Sequence, residues 1–380
     1  MDFSLSDEQQ ALQASVQRLL ADQYSFLTRR TIQRGEQGWS REMWRRLADL
    51  GVLGINVPEI HGGLGYGPIE TMIVMNLFGS HLLLEPFLAS AVVASVLLRE
   101  HATPSQQAQW LPRLVDGQIV AVLAHFETGS SPELEQVSTT ASRTHEGGYI
   151  LEGQKVLVEH ACAADVLLVT ARTMGEVESP EGLALFLVPR ETQGVKLRCY
   201  RTLDGRGAGD IAFESVSLPA SARVGGHHAL EAVERSLDFA LAALCAEAVG
   251  VMQALMNATV EYLKTRQQFG RPIGSFQALQ HRAADMLIAL EQARSMSFLA
   301  VARSTETTTS ERRRVLSAAK VIINRAARFI GQQAVQLHGG MGMTDELQVS
   351  HWFKRLVAIE MTLGDTDSHL ARFTNTPAVR

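Results

Sequence analysis

Residues 262–285 of this 380-residue chain read YLKTRQQFGRPIGSFQALQHRAAD and lie between two long apolar segments. Gly270, Pro272 and Gly274 interrupt the helical period, which predicts the end of one helix, a turn and a second helix. Ser275 can cap that second helix. A turn alone does not need the arginines, glutamines and phenylalanines around these glycines. Because guanidinium groups bind phosphate and aromatic rings stack, the stretch indicates either a site for a planar, phosphorylated ligand or a solvated helical corner.

Hydrophobic periodicity divides the chain into three parts. The pattern is helical up to about residue 119, with capping boxes at residues 6–9 and 103–106 and a helix start at Ser40. Short β-rich runs then alternate with glycine turns, at residues 149–151, 166–170, 183–188, 195–197 and 211–213. Long helical segments follow, at residues 228–265, 275–304, 311–337 and 343–373. We therefore predict an α+β chain with an N-terminal α-helical domain (1–119), a middle β-domain (120–225) and a C-terminal four-helix bundle (226–380).

Three further stretches accompany the first one. They read VPEIHGGLG at residues 57–65, GQK at residues 153–155 and QLHGGMGMTDE at residues 336–346. Together with residues 262–285 they resemble the acyl-CoA dehydrogenase family, whose YxxxRxQFGxPIxxFQxxQ and QxxGGxGYTxE signatures bind FAD. The resemblance spans nearly the whole chain in the family's order, and it implies the family's fold of helical domain, β-domain and four-helix bundle.

The resemblance assigns an FAD-binding role to specific residues. In the family, FAD lies between the β-domain and the bundle, and its adenine end reaches a second subunit. Arg266 matches the residue that meets the pyrophosphate. The positions that match the adenosine side are Gln268, Phe269, Ile273 and Phe276. The positions contributed by the partner's second signature are Gln336, Gly339 and Gly340, where glycine lets the backbone approach a ligand. Without the rest of the pattern, residues 338–340 would predict a helix C-cap.

The β-domain departs from the family's flavin contacts. Residues 123–133, LAHFETGSSPE, stand where the family has a TEPGAGSD-like run. Glu127 fits that run, but Phe126 replaces a hydroxyl residue that usually bonds the flavin. Residues 155–159, KVLVE, stand where KxWxT is usual, so the family's Trp and Thr on the flavin ring are absent. Phe126 and Val158 remain the flavin-facing candidates, in a pocket of unusual composition.

The family's catalytic base is also missing. Family members remove the α-proton of an acyl thioester with a Glu in an EGT-like turn near the C-terminus. Counted from Glu346, that position falls on Leu363 or, after a slip of one residue, on Gly364, and neither can accept a proton. Asp365 is nearby, but its shorter side chain is a poor substitute, since a general base must reach its proton. A second base position known in the family falls on Ala240.

Glu247 is the remaining carboxylate of interest. It lies in the apolar run LAALCAEAVG, residues 241–250. A carboxylate in such a helix is costly unless it is paired or its pKa is raised, and groups of this kind are frequent at functional sites. Glu247 is therefore either the general base or the partner of a basic residue such as Arg266 or Arg282, and the sequence leaves both open.

Composition and the remaining polar residues do not indicate a nucleic-acid-binding, membrane-spanning or metal-binding protein. A net charge of −5 with both signs dispersed gives no footprint for nucleic acid or an anionic membrane. Residues 79–98 are apolar but contain Glu85 and Pro86, which favours a core helix over a membrane span. The acidic N-terminus is unlike a signal peptide, and we expect a cytoplasmic protein. Cys162, Cys199 and Cys245 are predicted to be free, buried thiols. No metal site is predicted at His227 and His228, which are expected in a linker, or at His351 and His369. Residues 312–314 are predicted to be a solvated helix start.

The resemblance implies two main functions. The first is FAD-dependent α,β-dehydrogenation of an acyl-CoA thioester to the 2-enoyl-CoA, as in β-oxidation, with Glu247 as the base and an electron-transfer flavoprotein-like acceptor. The second is a silent or partial subunit that completes a partner's FAD site. Residues 246–250 (AEAVG) and 363–373 (LGDTDSHLARF) resemble the branch that forms heteromeric pimeloyl-CoA or steroid side-chain enzymes. A weaker third function is a flavin oxidase or monooxygenase on the same fold. We expect a homo- or hetero-oligomer, dimer or tetramer.

Overall fold

The computed structural model describes residues 4–129, 134–226 and 228–376, so His227 of the predicted linker lies outside the described residues. Within them the chain forms two compact units. One unit combines the described parts of Met1–Arg30, Pro68–Leu83 and Leu241–Arg380, and the other combines Thr31–Gly67 with Leu84–Ala240. Secondary structure changes type close to residues 119 and 225, as the periodicity indicates, whereas the division into three domains stays a prediction.

Within residues 4–120, six α-helices precede the sheet. They are α1 (Asp7–Gln23), α2 (Phe26–Arg34), α3 (Arg41–Asp49), α4 (Pro68–His81), α5 (Ser95–His101) and α6 (Pro104–Val115). Ser6 and Thr103 form the predicted capping boxes and Ser40 caps α3, because each side chain accepts a bond from an otherwise unpaired helical N–H. The apolar residues 79–98 are core, as predicted. They do not form one helix, since a fully buried π-helix, Phe87–Ala94, separates α4 from α5.

The central part of the chain forms one eight-stranded sheet. Its strands are β1 (Ala121–Ala124), β2 (Thr140–Arg143), β3 (Tyr149–Glu159), β4 (Val166–Arg172), β5 (Leu183–Pro189), β6 (Val195–Arg201), β7 (Gly207–Leu218) and β8 (Arg223–Val224). The order is β6-β7-β3-β2-β4-β5-β8, with β1 parallel to β4. All five β-rich runs are confirmed as strands. β4 is buried at every position because strands flank it on both sides.

Cys162 and Cys199 form a disulfide, so the expectation of three buried free thiols is wrong for two of them. Their Cα atoms are 6.0 Å apart, within disulfide range. Cys162 follows β3 and Cys199 lies in β6, and only the order of the strands brings them together. Cys245 is a buried free thiol, as expected, and burial raises its pKa to about 11.

The last part of the chain is helical. It contains α7 (Ala229–Thr265), α8 (Gln277–Arg303), α9 (Thr309–His338), α10 (Gln348–Met361) and α11 (Thr366–Asn375). The predicted fourth bundle helix is therefore two helices, because Leu363 and Gly364 between them have φ of 58° and 102°. By length and composition α7 could cross a membrane, but 89% of its most apolar window is buried inside the protein, as in a core helix.

Candidate functional site

Residues 266–276 form a β-hairpin where the sequence predicted a simple turn. β9 (Gln267–Gln268) pairs with β10 (Arg271–Pro272). Phe269 and Gly270 connect the two strands with φ of 53° and 75°, the positive values that two-residue hairpin turns favour. Ser275 does not cap α8, because its hydroxyl donates to the carbonyl of Pro272 at 2.7 Å.

The hairpin presents aromatic and cationic groups on the surface. Phe269 is 88% exposed, and Arg266 and Gln268 are exposed beside it. The ring of Phe269 meets Phe276 edge to face at 6.0 Å, and the guanidinium of Arg271 lies 4.2 Å from the centre of the Phe276 ring. Ile273 is half-buried at the base of the hairpin. An exposed ring flanked by guanidinium groups suits a planar, phosphorylated ligand.

The second glycine-rich stretch lies beside the first. The ring of His338, the last residue of α9, stacks on the ring of Tyr262 of α7 at 4.4 Å. Gln336, Gly339 and Gly340 are exposed next to this stack. Gly339 is also the C-cap residue of α9, with φ of 61°, so the helix end predicted at residues 338–340 is confirmed. A Cβ on Gly339 or Gly340 would meet no atom of the described chain within 4 Å, which leaves open space next to both.

The flavin-facing candidates of the β-domain are placed differently from each other. Phe126 is half-buried, and its carbonyl accepts a bond from the N–H of Val156 at 2.8 Å. Val158 is 3% exposed, whereas its neighbour Leu157 is 63% exposed at a bulge of β3 with φ of 52°. Leu157, which the sequence did not single out, is thus the exposed residue of this run. Residues 130–133 of the TEPGAGSD-like run lie outside the described residues.

Glu127 belongs to a buried polar network. Its carboxylate accepts bonds from Lys155 Nζ at 2.7 Å and from the N–H groups of Ser138 and Thr139 at 2.8 and 3.0 Å. Burial would raise the pKa of Glu127, but the charge and hydrogen bond of Lys155 outweigh burial and lower it to about 2. Burial lowers the pKa of Lys155 to about 8. Glu127 therefore remains ionised and fixes residues 138–139.

The usual position of the base is occupied by apolar packing. Leu363 packs on a cluster of buried side chains that includes Leu241 and Ala242 of α7. At Gly364 a Cβ would lie 2.9 Å from His369 Nε2, so a side chain there would displace the histidine. Neither position presents a proton acceptor.

His369 holds this turn in place. Its Nε2 lies 2.8 Å from the carbonyl oxygen of Leu363, which can only accept, so Nε2 carries the proton. Nδ1 then accepts from the hydroxyl of Ser317 at 3.2 Å. Burial lowers the pKa of His369 to about 4, so the ring is neutral around pH 7. The sequence predicted no metal site at His369 and named no contact for it, and its position six residues after Leu363 is the signal that could have suggested one.

Asp365 is used as a helix cap. It accepts bonds from the N–H and the hydroxyl of Ser368 at 2.8 and 2.6 Å, at the start of α11. These hydrogen bonds lower the pKa of Asp365. A carboxylate stabilised in this way is a weaker proton acceptor.

Glu247 is fully buried in a bidentate ion pair with Arg355 of α10. Arg355 Nε and Nη2 donate to the two carboxylate oxygens at 2.8 Å each. The predicted partners were wrong, because Arg266 lies exposed on the hairpin and Arg282 donates to Gln333 at 3.0 Å. The ion pair favours the structural alternative for Glu247 over the general base. Arg355 could have been found from the sequence, since it lies on the apolar face of α10.

The buried charges continue around this pair. Lys320 of α9 is completely buried and donates to the carbonyl of Ile359 near the end of α10. Burial lowers the pKa of Lys320 to about 8. Within residues 4–129, 134–226 and 228–376, no group of three or more His, Cys, Asp or Glu side chains could hold a metal ion.

Comparisons with known proteins cover almost the entire chain. Three family models match in order: acyl-CoA dehydrogenase, N-terminal domain (residues 6–118), middle domain (123–216) and C-terminal domain (230–375). Acyl-CoA dehydrogenase FadE27 of Mycobacterium tuberculosis is 29% identical over 379 residues, covering 98% of this chain and 97% of that protein.

Two solved structures share both fold and sequence with this chain. The ChsE4-ChsE5 complex from M. tuberculosis contains a chain that is 28% identical, with a TM-score of 0.87 and 100% coverage of both chains. A variant of the Tcur3481-Tcur3483 steroid ACAD contains a chain that is 29% identical, with a TM-score of 0.87 and 98% coverage of both. This chain belongs to the acyl-CoA dehydrogenase family.

Proposed function

We propose that this chain is one subunit of a heteromeric, FAD-dependent acyl-CoA dehydrogenase, in which it contributes to a partner's FAD site and supplies no catalytic base of its own. Family and fold support FAD-dependent dehydrogenation of an acyl-CoA thioester in general. The finer proposal rests on one observation. The residues discussed as candidate bases do not provide one: Leu363 is apolar, the carboxylate of Asp365 caps a helix, and the carboxylate of Glu247 is paired with Arg355.

The reaction explains why the missing base matters. Dehydrogenation removes a proton from Cα and a hydride from Cβ of the thioester, and FAD, when bound, supplies the hydride acceptor. The α-proton needs a carboxylate within hydrogen-bonding reach at the moment of transfer. Leu363 and Gly364 can contribute backbone N–H groups to polarise the thioester carbonyl, but they cannot take the proton.

The residues of the hairpin fit the adenosine and phosphate end of FAD. An exposed phenyl ring and an exposed guanidinium lie on a short, hydrogen-bonded hairpin, and the open space at Gly339 and Gly340 lets a ligand approach the backbone. FAD is the cofactor that family membership and flavin-bound relatives support. Arg266, Gln268, Phe269, Ile273 and Phe276 are the proposed contacts on the hairpin, and Gln336, Gly339 and Gly340 are those of the second stretch.

The partner is a second, different chain of the same family. Two of the solved relatives are named as pairs of distinct chains, ChsE4-ChsE5 and Tcur3481-Tcur3483. A partner with an intact EGT-like turn would supply the base that this chain lacks, and this chain would supply the hairpin. An electron-transfer flavoprotein-like protein is the proposed electron acceptor.

The test is the visible spectrum of the purified protein, followed anaerobically during titration with a panel of acyl-CoA thioesters. The chain alone should carry little flavin, or flavin that no thioester bleaches. Co-expression with a homologue that has the standard base should give an assembly whose flavin bleaches. Bleaching by the chain alone, lost in Glu247→Gln but kept in the exposed control Glu261→Gln, would establish a self-sufficient enzyme instead. Oxygen consumption without an added acceptor would favour the oxidase.

A further inference from the structure

We propose that the Cys162–Cys199 disulfide is a site of thiol–disulfide exchange whose redox state controls the bulge of β3 at Leu157. The control of flavin binding through that bulge rests on the proposed function. The disulfide, the strand contacts and their response to reduction are independent of the proposed function.

The disulfide joins strand β6 to the turn between β3 and β4. Val158 of β3 and Cys199 of β6 both pair with Gly209 of β7, one from each side. Cys162, in the turn that follows β3, reaches over Gly209 to Cys199. A Cβ on Gly209 would lie 3.5 Å from the Sγ of Cys162 and 3.2 Å from the Cβ of Ala161. A side chain at this position would be tight against Ala161 and in ordinary contact with the sulfur, so Gly209 lies directly beneath the disulfide.

Strand β6 is held by its pairing with β7, by the ion pair of Lys196 with Glu214 and by the bond of Arg201 to the carbonyl of Gly35. It is the last strand of the sheet, and within the described parts of the chain β7 is its one strand neighbour. All seven of its residues are exposed or half-buried. Segments with few buried contacts are the first to open locally. The disulfide adds a covalent link from β6 to the β3–β4 turn.

A chain of hydrogen bonds connects β6 to the bulge of β3. Arg198 and the hydroxyl of Tyr200 donate to the carboxylate of Asp210 at 2.6 and 2.7 Å. The N–H of Leu157 donates to the same carboxylate at 3.2 Å. Leu157 has positive φ, a backbone conformation that non-glycine residues adopt only when their surroundings hold them. Loosening of β6 would withdraw Arg198 and Tyr200 from Asp210, and Asp210 would then hold Leu157 less firmly.

The disulfide is accessible to a reductant. Cys199 is exposed and Cys162 is half-buried, whereas the third cysteine, Cys245, is completely buried. Attack is therefore proposed at Cys199, the more exposed of the two residues.

The reductant is a dithiol. Its thiolate attacks Cys199 Sγ, forms a mixed disulfide and releases Cys162 as a thiolate, which takes a proton. The second thiol of the reductant then closes its own disulfide and releases Cys199, which is protonated in turn. Two electrons and two protons pass from the dithiol to the protein, and the dithiol leaves as a disulfide.

The first measurement counts thiols in the full-length protein, purified without reductant and denatured before titration. One thiol, that of Cys245, is expected before treatment with dithiothreitol and three are expected afterwards. Three thiols in the untreated protein would overturn the proposal at once.

The second measurement is amide hydrogen exchange with and without dithiothreitol. We expect exchange in residues 155–164 and 195–201 to become at least about fivefold faster on reduction, with no change in α9. Cys199→Ser should behave like the reduced protein in either condition, and Cys245→Ser should match the unmodified protein. Asp210→Asn should accelerate exchange at residues 155–160 while the disulfide stays intact. Unchanged exchange at residues 155–164 on reduction would refute the link between β6 and the bulge.

The third measurement tests the consequence for flavin. In the assembled holoprotein, reduction and Cys199→Ser should both speed FAD release severalfold, measured by the appearance of free flavin fluorescence. Faster exchange with unchanged flavin release would refute control of the cofactor. Failure of the heteromer to form would refute the proposed function and leave the thiol and exchange results standing.

Discussion

Replacement of Glu247 by glutamine separates a structural carboxylate from a catalytic one. Glu247 is completely buried and Arg355 is 3% exposed, and two 2.8 Å hydrogen bonds join them. Glutamine keeps the size of the side chain, but its NH2 group would face a guanidinium N–H where a carboxylate oxygen had accepted. The charge of Lys320 acts on the same cluster and adds repulsion. Removing one partner of a buried ion pair costs about 3–5 kcal/mol.

The expected loss is large enough to measure by thermal unfolding. A cooperative unit of about 150–250 residues loses roughly 2–4 °C per kcal/mol, so Glu247→Gln should lower Tm by roughly 6–20 °C. Arg355→Met should have a similar effect. The double variant should lose about 1–3 kcal/mol less stability than the sum of the two single losses, because it leaves no unpaired buried charge. Glu261→Gln, on the same helix but in an exposed pair with Lys264, should change stability by less than about 0.5 kcal/mol.

One result would refute this reasoning. If Glu247→Gln unfolds within about 2 °C of the unmodified protein and yet loses its reaction with acyl-CoA, the carboxylate is a base and the ion pair is incidental. The double-variant cycle would then show no coupling with Arg355.

Three further outcomes are expected. Leu363→Glu should restore a proton acceptor at the usual position, so that an acyl-CoA bleaches the flavin of the chain itself, at a cost of roughly 1–3 kcal/mol for lost apolar packing; no bleaching in a folded, flavin-loaded variant would contradict this. The folded-state pKa of His369, about 4, lies below its ordinary value of 6.5, so its contribution to stability is complete above pH 6.5 and lost as pH falls through about 4. Between pH 6.5 and 4 the free energy of unfolding should therefore fall by about 3 kcal/mol less in His369→Gln than in the unmodified protein, measured by urea unfolding at several pH values. The same pH dependence in both proteins would show that the ring titrates normally. Phe269→Ala should leave the Tm of the chain unchanged, because the ring is 88% exposed, and should weaken FAD retention in the heteromer at least about tenfold, measured by equilibrium dialysis; equal retention would exclude the hairpin from the cofactor site.

Features that depend on local chemistry could be predicted from the sequence. The capping boxes at Ser6 and Thr103 were predicted correctly because the donor and acceptor are three residues apart in the chain. The five β-rich runs were found for a similar reason, since β-branched and apolar residues lie between glycine turns. β2 was missed because its sequence, Thr-Ala-Ser-Arg, has little strand propensity and depends on its pairing with β3.

Features that depend on distant contacts could not be predicted. The disulfide requires the strand order β6-β7-β3, which no local pattern encodes. The break of the last bundle helix requires Leu363 to adopt positive φ, and the carbonyl bond from His369 and the packing on α7 accompany that conformation. Neither contact leaves a signal in the residues next to Leu363.

Arg312 shows why a buried arginine is hard to predict from the sequence. Residues 312–314 were interpreted as a solvated helix start, but Arg312 is 2% exposed and donates to the carbonyl of Glu306 at 2.8 Å. Arg172 is 5% exposed and donates to five backbone carbonyls, those of Glu135, Val137, Val177, Ser179 and Glu181. A guanidinium carries five N–H donors and can be satisfied by carbonyls alone, so the absence of a nearby carboxylate in the sequence does not place an arginine on the surface.

The residues at the base positions and those of the hairpin differ in a way that favours the proposed heteromer over a chain that has lost all function. Packing within the chain occupies the base positions. Leu363 adds to a hydrophobic cluster, and His369 occupies the space that a side chain at Gly364 would need. On the hairpin the opposite holds. A phenyl ring is left 88% exposed on a residue with positive φ, which costs on the order of 1 kcal/mol or more, and in the isolated chain the ring meets Phe276 only edge to face. A chain that had lost all function would be free to replace Phe269 with a polar residue or glycine, whereas a chain that serves a partner's cofactor must keep it. The same residues in a homo-oligomer would complete FAD sites without a base at the usual position, which is why we propose a different chain as the neighbouring subunit.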